Sequence, residues 1–424
     1  MPDVLVTGAD LLGAGRADLL LRDGRFADPA TAGPDAERVD ADGLVALPGL
    51  VDLHTHLREP GREDAETVAT GTDAAARGGF TAVLAMANTN PVTDTAEAAE
   101  HVAALGRREG HAQVVPVGAI SKGLAGAELA ELGLMARSAA GVRVFSDDGH
   151  CVTDARLMRR ALEYVRAFDG VIAQHAQDPR LAGPDACCHE GELSGRLGLP
   201  GWPAVAESTV VARDVQLAQL TRSRLHVCHV STAETVDVLR WAKARGVDVT
   251  AEVAPHHLLL TTDELAGYDP TYKVNPPLRP DEHVVALRDA LADGTVDVVA
   301  TDHAPHARHD KEHAFADAAP GMLGLETALA VVLETMVLPG RLGWAEVAAR
   351  MSTVPARIAR LSGQGRPLAL GEPANLTLVD PAARAVVDGA ASASLSRNNP
   401  WHGRDLPDPV VATFWAGRAT YRRT

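Results

Sequence analysis

The chain has 424 residues with 40 basic and 56 acidic side chains, a formal net charge of −16. That length exceeds the usual single-domain size and predicts one large unit plus a small one, and a 46% hydrophobic content excludes disorder as the dominant state. So acidic a chain, with only 4% aromatic residues, offers neither the basic surface of a nucleic-acid or membrane-surface binder nor a base-stacking platform.

From the N-terminus, apolar and polar positions alternate through residue 47, with Asp-Gly turns at Asp23-Gly24 and Asp42-Gly43. Short antiparallel strands are expected at 4–6, 18–21 and 44–47. The start, Met1-Pro2-Asp3, has no basic region followed by an apolar stretch, and no apolar run approaches the ~20 residues of a membrane span. The reading is a soluble, cytoplasmic protein. Short apolar runs then end near His56, Asn88, Ala119, Asp148, His175, His229, Pro255 and Asp302, separated by Ala-rich helical stretches such as 65–77, 154–168 and 204–222. Eight strand–helix alternations favour a (β/α)8 barrel of the TIM type over an open doubly wound sheet. The two longest gaps hold Gly/Pro-rich loops at 179–203 and 268–280, candidates for lids facing a substrate. Strand-like segments return at 375–379 and 410–414, and these are expected to pair with the N-terminal strands, since neither end alone has enough strands to bury a face. The division expected is 1–50 and 366–424 for the two halves of the β unit, with 51–365 as the catalytic barrel.

Four cysteines, Cys151, Cys187, Cys188 and Cys228, are too few and too irregular for a disulfide framework, and no C-x-x-C pair suggests a zinc ribbon. The sharpest motif is Pro48-Gly49-Leu50-Val51-Asp52-Leu53-His54-Thr55-His56-Leu57-Arg58. Residues two apart on a strand share a face, about 6.6 Å apart along it, so His54 and His56 can offer two imidazoles to one metal. Asp148, His175, His229 and Asp302 also follow apolar runs, and in a barrel all such strand ends converge on one mouth. Any one of them alone is more often structural. Together, six nitrogen and oxygen ligands exceed one tetrahedral zinc and suit two divalent ions sharing a carboxylate. Arg58, two residues beyond the histidines, is placed to grip an anionic substrate that the overall charge would repel.

These residues carry a family resemblance. His54-x-His56 with the late Thr301-Asp302-His303-Ala304-Pro305-His306 resembles the amidohydrolase superfamily. Within it, His54-Thr55-His56-Leu57-Arg58, Ala87-Asn88-Thr89-Asn90-Pro91, Lys273-Val274-Asn275-Pro276-Pro277-Leu278-Arg279 and Gly324-Leu325-Glu326-Thr327 resemble dihydroorotases of the longer bacterial type. The resemblance spans about residue 45 to Asn399 and implies a metal-bearing barrel with a small β-sandwich built from both termini.

By that resemblance, His54, His56 and Asp302 hold one ion, His175 and His229 a second, and Asp148 bridges two zinc ions. Many relatives, hydantoinases among them, bridge with a carboxylated lysine at the end of strand four. This chain has Ser146-Asp147-Asp148-Gly149 there, and Asp148, directly before the glycine, is preferred to Asp147. The implied reaction is the reversible cyclisation of N-carbamoyl-L-aspartate to dihydroorotate in pyrimidine biosynthesis, with a metal-activated water and Asp302 as general acid and base. His56, Arg58, Asn88, Asn275 and His306 are the implied substrate contacts. A backbone contact is expected at Pro320 and Gly321, although Ala318-Ala319-Pro320-Gly321 departs from the family's Ala-Pro-Phe-Gly. His256 and His257 are read as supporting or structural, and Asp310-Lys311-Glu312-His313 as a lid loop. The resemblance also implies a homodimer, and in some relatives association with aspartate transcarbamoylase. Competing readings are a hydantoinase- or allantoinase-like hydrolase and a non-catalytic scaffold subunit. The full set of six ligand residues weighs against the scaffold.

Overall fold

The computed structural model describes residues 2–423. Eight strands form the barrel: Leu50–Thr55, Phe80–Ala85, Gln113–Pro116, Val144–Phe145, Val171–Gln174, Leu225–Val227, Val249–Val253 and Val298–Val299. Each of the first two is buried along its whole length, as parallel strands covered on both faces must be. All ladders between neighbours are parallel, in one arc of three strands and another of five. Parallel bridges Gly118↔Phe145 and Thr55↔His303 join the arcs into a ring.

Helices follow the strands in turn, among them Val68–Arg77, Ala96–Glu109, Ala155–Val165, Val205–Thr221, Ala233–Ala244 and Asp281–Asp293. Several start where a short polar side chain satisfies the first free amides. Thr67, Thr95, Asp154 and Thr232 each accept from a backbone N–H two or three residues on.

The terminal segments form a separate eight-stranded sheet. Its N-terminal part has five strands rather than the three expected, and the pairing is not purely antiparallel. Val4–Leu11 runs antiparallel to Arg16–Arg22 but parallel to both Glu37–Asp40 and Val45–Pro48. The connection through 29–40 carries the chain back before it pairs, which no local turn signal announces. The two ends meet where Val45–Pro48 pairs antiparallel with Leu376–Val379. Side-chain alternation lets that first strand serve both cores. Ala46 joins the terminal cluster with Val4, Leu21, Phe26, Leu376 and Phe414, while Val45 and Leu47 face the barrel's cluster.

The long loops after strands five and seven fold over the barrel mouth and pack on each other. Cys187 and Cys188, Leu265, and Phe315 from the loop after strand eight make one apolar cluster. The stretch expected as a lid is anchored instead. Arg308–Lys311 is a helical turn, and the buried Lys311 ammonium donates to the carbonyls of Lys273, Ala319 and Gly321.

Candidate metal centre

Strand one ends by placing His54 and His56 at the mouth, and Asp52 below them locks the ring closed. Its carboxylate accepts from Thr301 N at 2.8 Å and from Thr301 Oγ1 at 2.5 Å, tying strand one to the end of strand eight. His56 N donates to His303 O at 2.9 Å. Asp302 thereby comes to 3.3 Å from His56 Nε2 and 3.6 Å from His54 Nε2. Arg58, His229 and Asp302 all adopt left-handed backbone, with φ of 60°, 30° and 46°. Such strain concentrates where a fold must aim side chains.

Asp148 stands at the centre. Its Oδ1 lies 3.3 Å from His54 Nε2, His175 Nδ1 and His229 Nε2, and its Oδ2 lies 3.4 Å from His56 Nε2. Asp147 is turned away, accepting from the amides of Ile120 and Ser121 and from the Ser121 hydroxyl. Two triads, His54–His56–Asp148 and Asp148–His175–His229, each gather their ligand atoms within 4.8 Å. All six ligand residues named from the sequence are buried and brought together.

The outer ring nitrogens show which way the imidazoles face. His54 Nδ1 is 2.6 Å from Glu252 Oε1, His56 Nδ1 is 2.9 Å from Asn88 Oδ1, and His175 Nε2 is 2.8 Å from Gln177 Oε1. Each of these oxygens is an acceptor, so the ring proton sits outside and the lone pair points inward. Inside, His175 Nδ1 and His229 Nε2 are 2.9 Å apart, and buried His54 Nε2 has no hydrogen-bond partner. Lone pairs converging around a carboxylate are a donor set for cations, and the set of imidazole nitrogens and carboxylate oxygens suits divalent transition ions.

Burial opposes ionisation of Asp148, yet the surrounding imidazoles of His54, His175 and His229 hold it well below the usual carboxylate range. Burial likewise opposes charge on His54, but Asp148 and Glu252 raise it well above an ordinary imidazole, so a proton and a metal cation compete for its inner nitrogen. Asp302 stays ionised against its burial through His56, His54 and His229.

Arg58 is buried beside this cluster, its Nε donating to Pro305 O at 2.9 Å and its Nη2 lying 3.5 Å from His306 Nε2. Burial and neighbouring Arg62 lower it only to about 10, so it remains a cation. His306 is pushed down to about 2 by burial, Arg58 and Lys311, and stays neutral, within 2.8 Å of Pro320 O. Gly321 sits against that ring: a Cβ there would come within 2.7 Å of His306 Nε2. The Gly321 amide donates to Lys273 O, and its carbonyl accepts from Asn398 and Lys311. The backbone polar groups of Pro320 and Gly321, read as substrate contacts, thus already have protein partners. Asn88 is engaged with His56, and Asn275 turns its Nδ2 to Gln177 Oε1 at 3.2 Å, leaving buried Oδ1 without a partner. His256 and His257 stand apart from the carboxylates, and burial lowers both, His256 to about 4.

Three supporting residues escaped the sequence reading. Glu252, between the rings of His54 and His226, was detectable as a lone acid inside the apolar strand Val249–Val253. Asp52 lay unweighed inside the motif itself, and nothing local marks Gln177.

The closed β/α ring thus carries at its mouth four imidazoles around a carboxylate, a donor set suited to divalent cations. Solved structures share the whole architecture: the L-hydantoinase (dihydropyrimidinase) from Arthrobacter aurescens superposes with a TM-score of 0.86 at 25% identity, covering 100% of this chain and 96% of that one. A dihydropyrimidinase from Brevibacillus agri gives 0.86 at 21%, covering 99% and 95%. In sequence, a dihydro-orotase-like family model matches residues 43–235. The curated dihydroorotase of Streptomyces coelicolor is 60% identical over 423 residues, covering 99% of this chain and 98% of the relative, and that of Mycobacterium tuberculosis is 56% identical with the same coverage. The chain belongs to the dihydroorotase family.

Proposed function

We propose that the chain is a dihydroorotase, interconverting N-carbamoyl-L-aspartate and dihydroorotate in pyrimidine biosynthesis. The observation that carries this reading is near-identity of length and 60% identity to a curated dihydroorotase, over a chain that also gathers His54, His56, Asp148, His175 and His229, with Asp302 beside the first two. Two zinc ions are proposed, one between His54, His56 and Asp302 and one between His175 and His229, with Asp148 shared. The chemistry such ions supply is Lewis acidity, which makes a water nucleophilic near neutral pH and polarises the amide carbonyl.

The protein's own groups supply the rest. Arg58 pairs with the substrate carboxylate in a buried setting where the charge-assisted bond is strong. His306, neutral, presents its ring beside that guanidinium without competing for the anion. Asp302, ionised at neutral pH, takes a proton from the attacking water. As the ring C–N bond breaks, it returns that proton to the departing nitrogen. In the reverse direction Asp302 removes a proton from the ureido nitrogen as it attacks the carboxyl carbon, and water leaves. Glu252 and Asn88 hold His54 and His56 in the tautomer that keeps their inner nitrogens free of protons.

We further place the enzyme in the cytoplasm as a homodimer, with contact to aspartate transcarbamoylase to be tested by co-purification and light scattering. Among the described residues no helix is long and apolar enough to cross a membrane. The deciding experiment is turnover of N-carbamoyl-L-aspartate by purified protein, followed by ultraviolet absorbance with metal content measured alongside. Turnover with about two ions per chain supports the reading. Turnover of hydantoin or allantoin instead would overturn it, and so would a metal-free protein that stays inert when zinc is supplied.

A further inference from the structure

Gln177 lies two residues after His175, in the loop between the fifth barrel strand and the short helix Pro179–Ala182, and Asp178 beside it caps that helix. Its Oε1 has two neighbours belonging to different parts of the site. One is His175 Nε2 at 2.8 Å, the outer nitrogen of a candidate metal ligand. The other is Asn275 Nδ2 at 3.2 Å, the amide of a candidate substrate contact reached from the loop after strand seven.

The proton positions follow from one another. His175 Nδ1 faces Asp148 Oδ1 at 3.3 Å and His229 Nε2 at 2.9 Å, so ligation requires the lone pair at Nδ1 and the proton at Nε2. A proton at Nε2 requires an acceptor, which makes the Gln177 atom its oxygen. That oxygen is an acceptor for Asn275 as well, so Asn275 turns its NH2 toward Gln177. Its Oδ1 then faces away, and it is among the buried side-chain atoms without a hydrogen-bond partner. A buried acceptor left open is costly unless something fills it.

We propose that Gln177 is a positioning residue that couples the metal site to substrate recognition: its single carboxamide oxygen fixes the His175 tautomer and, through the same atom, sets Asn275 as an acceptor for a substrate N–H. The proposal rests on the dihydroorotase reading above, whose cyclic and open substrates both carry such N–H groups. Loading the metal site therefore favours one orientation of Asn275, and the substrate meets an amide already turned to receive it.

The test uses holoenzyme and three variants, each checked for folding by circular dichroism and scored for KM, kcat and metal retained after dialysis against a chelator. Gln177→Met removes the shared acceptor. It is expected to raise KM for dihydroorotate and to weaken metal retention, each by about tenfold or more. Gln177→Glu keeps an oxygen for both partners and is expected to stay within about threefold of wild type in both measures. Asn275→Ala is expected to raise KM while metal retention is unchanged. The proposal is overturned if Gln177→Met moves only one of the two quantities, or if Gln177→Glu is as damaged as Gln177→Met. Should Gln177→Met not fold, the Gln177→Glu and Asn275→Ala pair still decides, since loss of metal in Asn275→Ala or a raised KM in Gln177→Glu also overturns it. Wild-type turnover and metal content separate the two levels: an inert, metal-free wild type overturns the dihydroorotase reading and this proposal with it.

Discussion

Two pairs of buried histidines, His54 with His175 and His256 with His257, differ in the charge that faces them. His54 and His175 are raised above an ordinary imidazole although burial opposes their charge, because Asp148 lies within hydrogen-bonding range of both and Glu252 adds to it at His54. His256 and His257, equally buried and with ring centroids 4.4 Å apart, are lowered by burial, which the charge of Asp302 does not offset. Burial alone makes an imidazole neutral and inert. At His54 and His175 the central carboxylate Asp148 offsets that penalty. Histidine count is therefore a poor guide to a metal site, and the acids behind the rings are a better one.

The largest way to break this contrast is to remove a working acid. Asp302→Asn is expected to lower kcat by about 10²–10⁴-fold with the fold intact, read from dihydroorotate consumption. Near-normal turnover would show that the proton is handled elsewhere. Next, Glu252→Gln should weaken metal retention about 10–100-fold, measured after chelator dialysis. The matched change on the other side, His257→Phe, should leave metal content at the wild-type level. It should raise KM severalfold, because His257 Nε2 lies 3.2 Å from Pro276 O beside Asn275. Metal lost from His257→Phe would erase the distinction. Arg58→Lys, which keeps the charge but loses the planar fork, is expected to raise KM about tenfold with metal retained.

The smallest effect is on stability. His189 and His256 are held down to about 4, and His306 to about 2, each chiefly by burial. In the unfolded chain each takes a proton near pH 6.5, so below that pH the unfolded state binds more protons. The stability these neutral rings contribute is complete above about pH 6.5 and is lost as the pH falls toward 4. Melting temperature should therefore drop between pH 7 and pH 5. His189→Gln, which keeps a carboxamide oxygen for Arg279 Nη1, should flatten that drop. An unchanged slope would mean His189 is not held neutral.

The sequence made the barrel legible because eight short apolar runs recur with helices between them. It made the candidate ligand residues legible because all six stand at or within three residues of a strand end. The terminal sheet was only partly legible: its strands show, but parallel pairing of Val4–Leu11 with Glu37–Asp40 depends on a chain reversal that no turn motif encodes. Gln177 and Lys311 were illegible as supports, because their work is done through partners far off in sequence, Asn275 for one and the carbonyls of Lys273, Ala319 and Gly321 for the other. Motif reading finds the atoms that face the chemistry and misses those that face other side chains.

The junction of Val45–Pro48 with Leu376–Val379 has a consequence for the order in which the molecule can be completed during translation. The strand that leads directly into His54 and His56 waits for a neighbour made more than three hundred residues later. Until the ribosome has delivered it, that edge is open to pairing with other nascent chains. Loss of Leu376–Val379 would therefore be felt first as aggregation of newly made protein and failure to capture metal, although no candidate ligand lies anywhere near it in sequence.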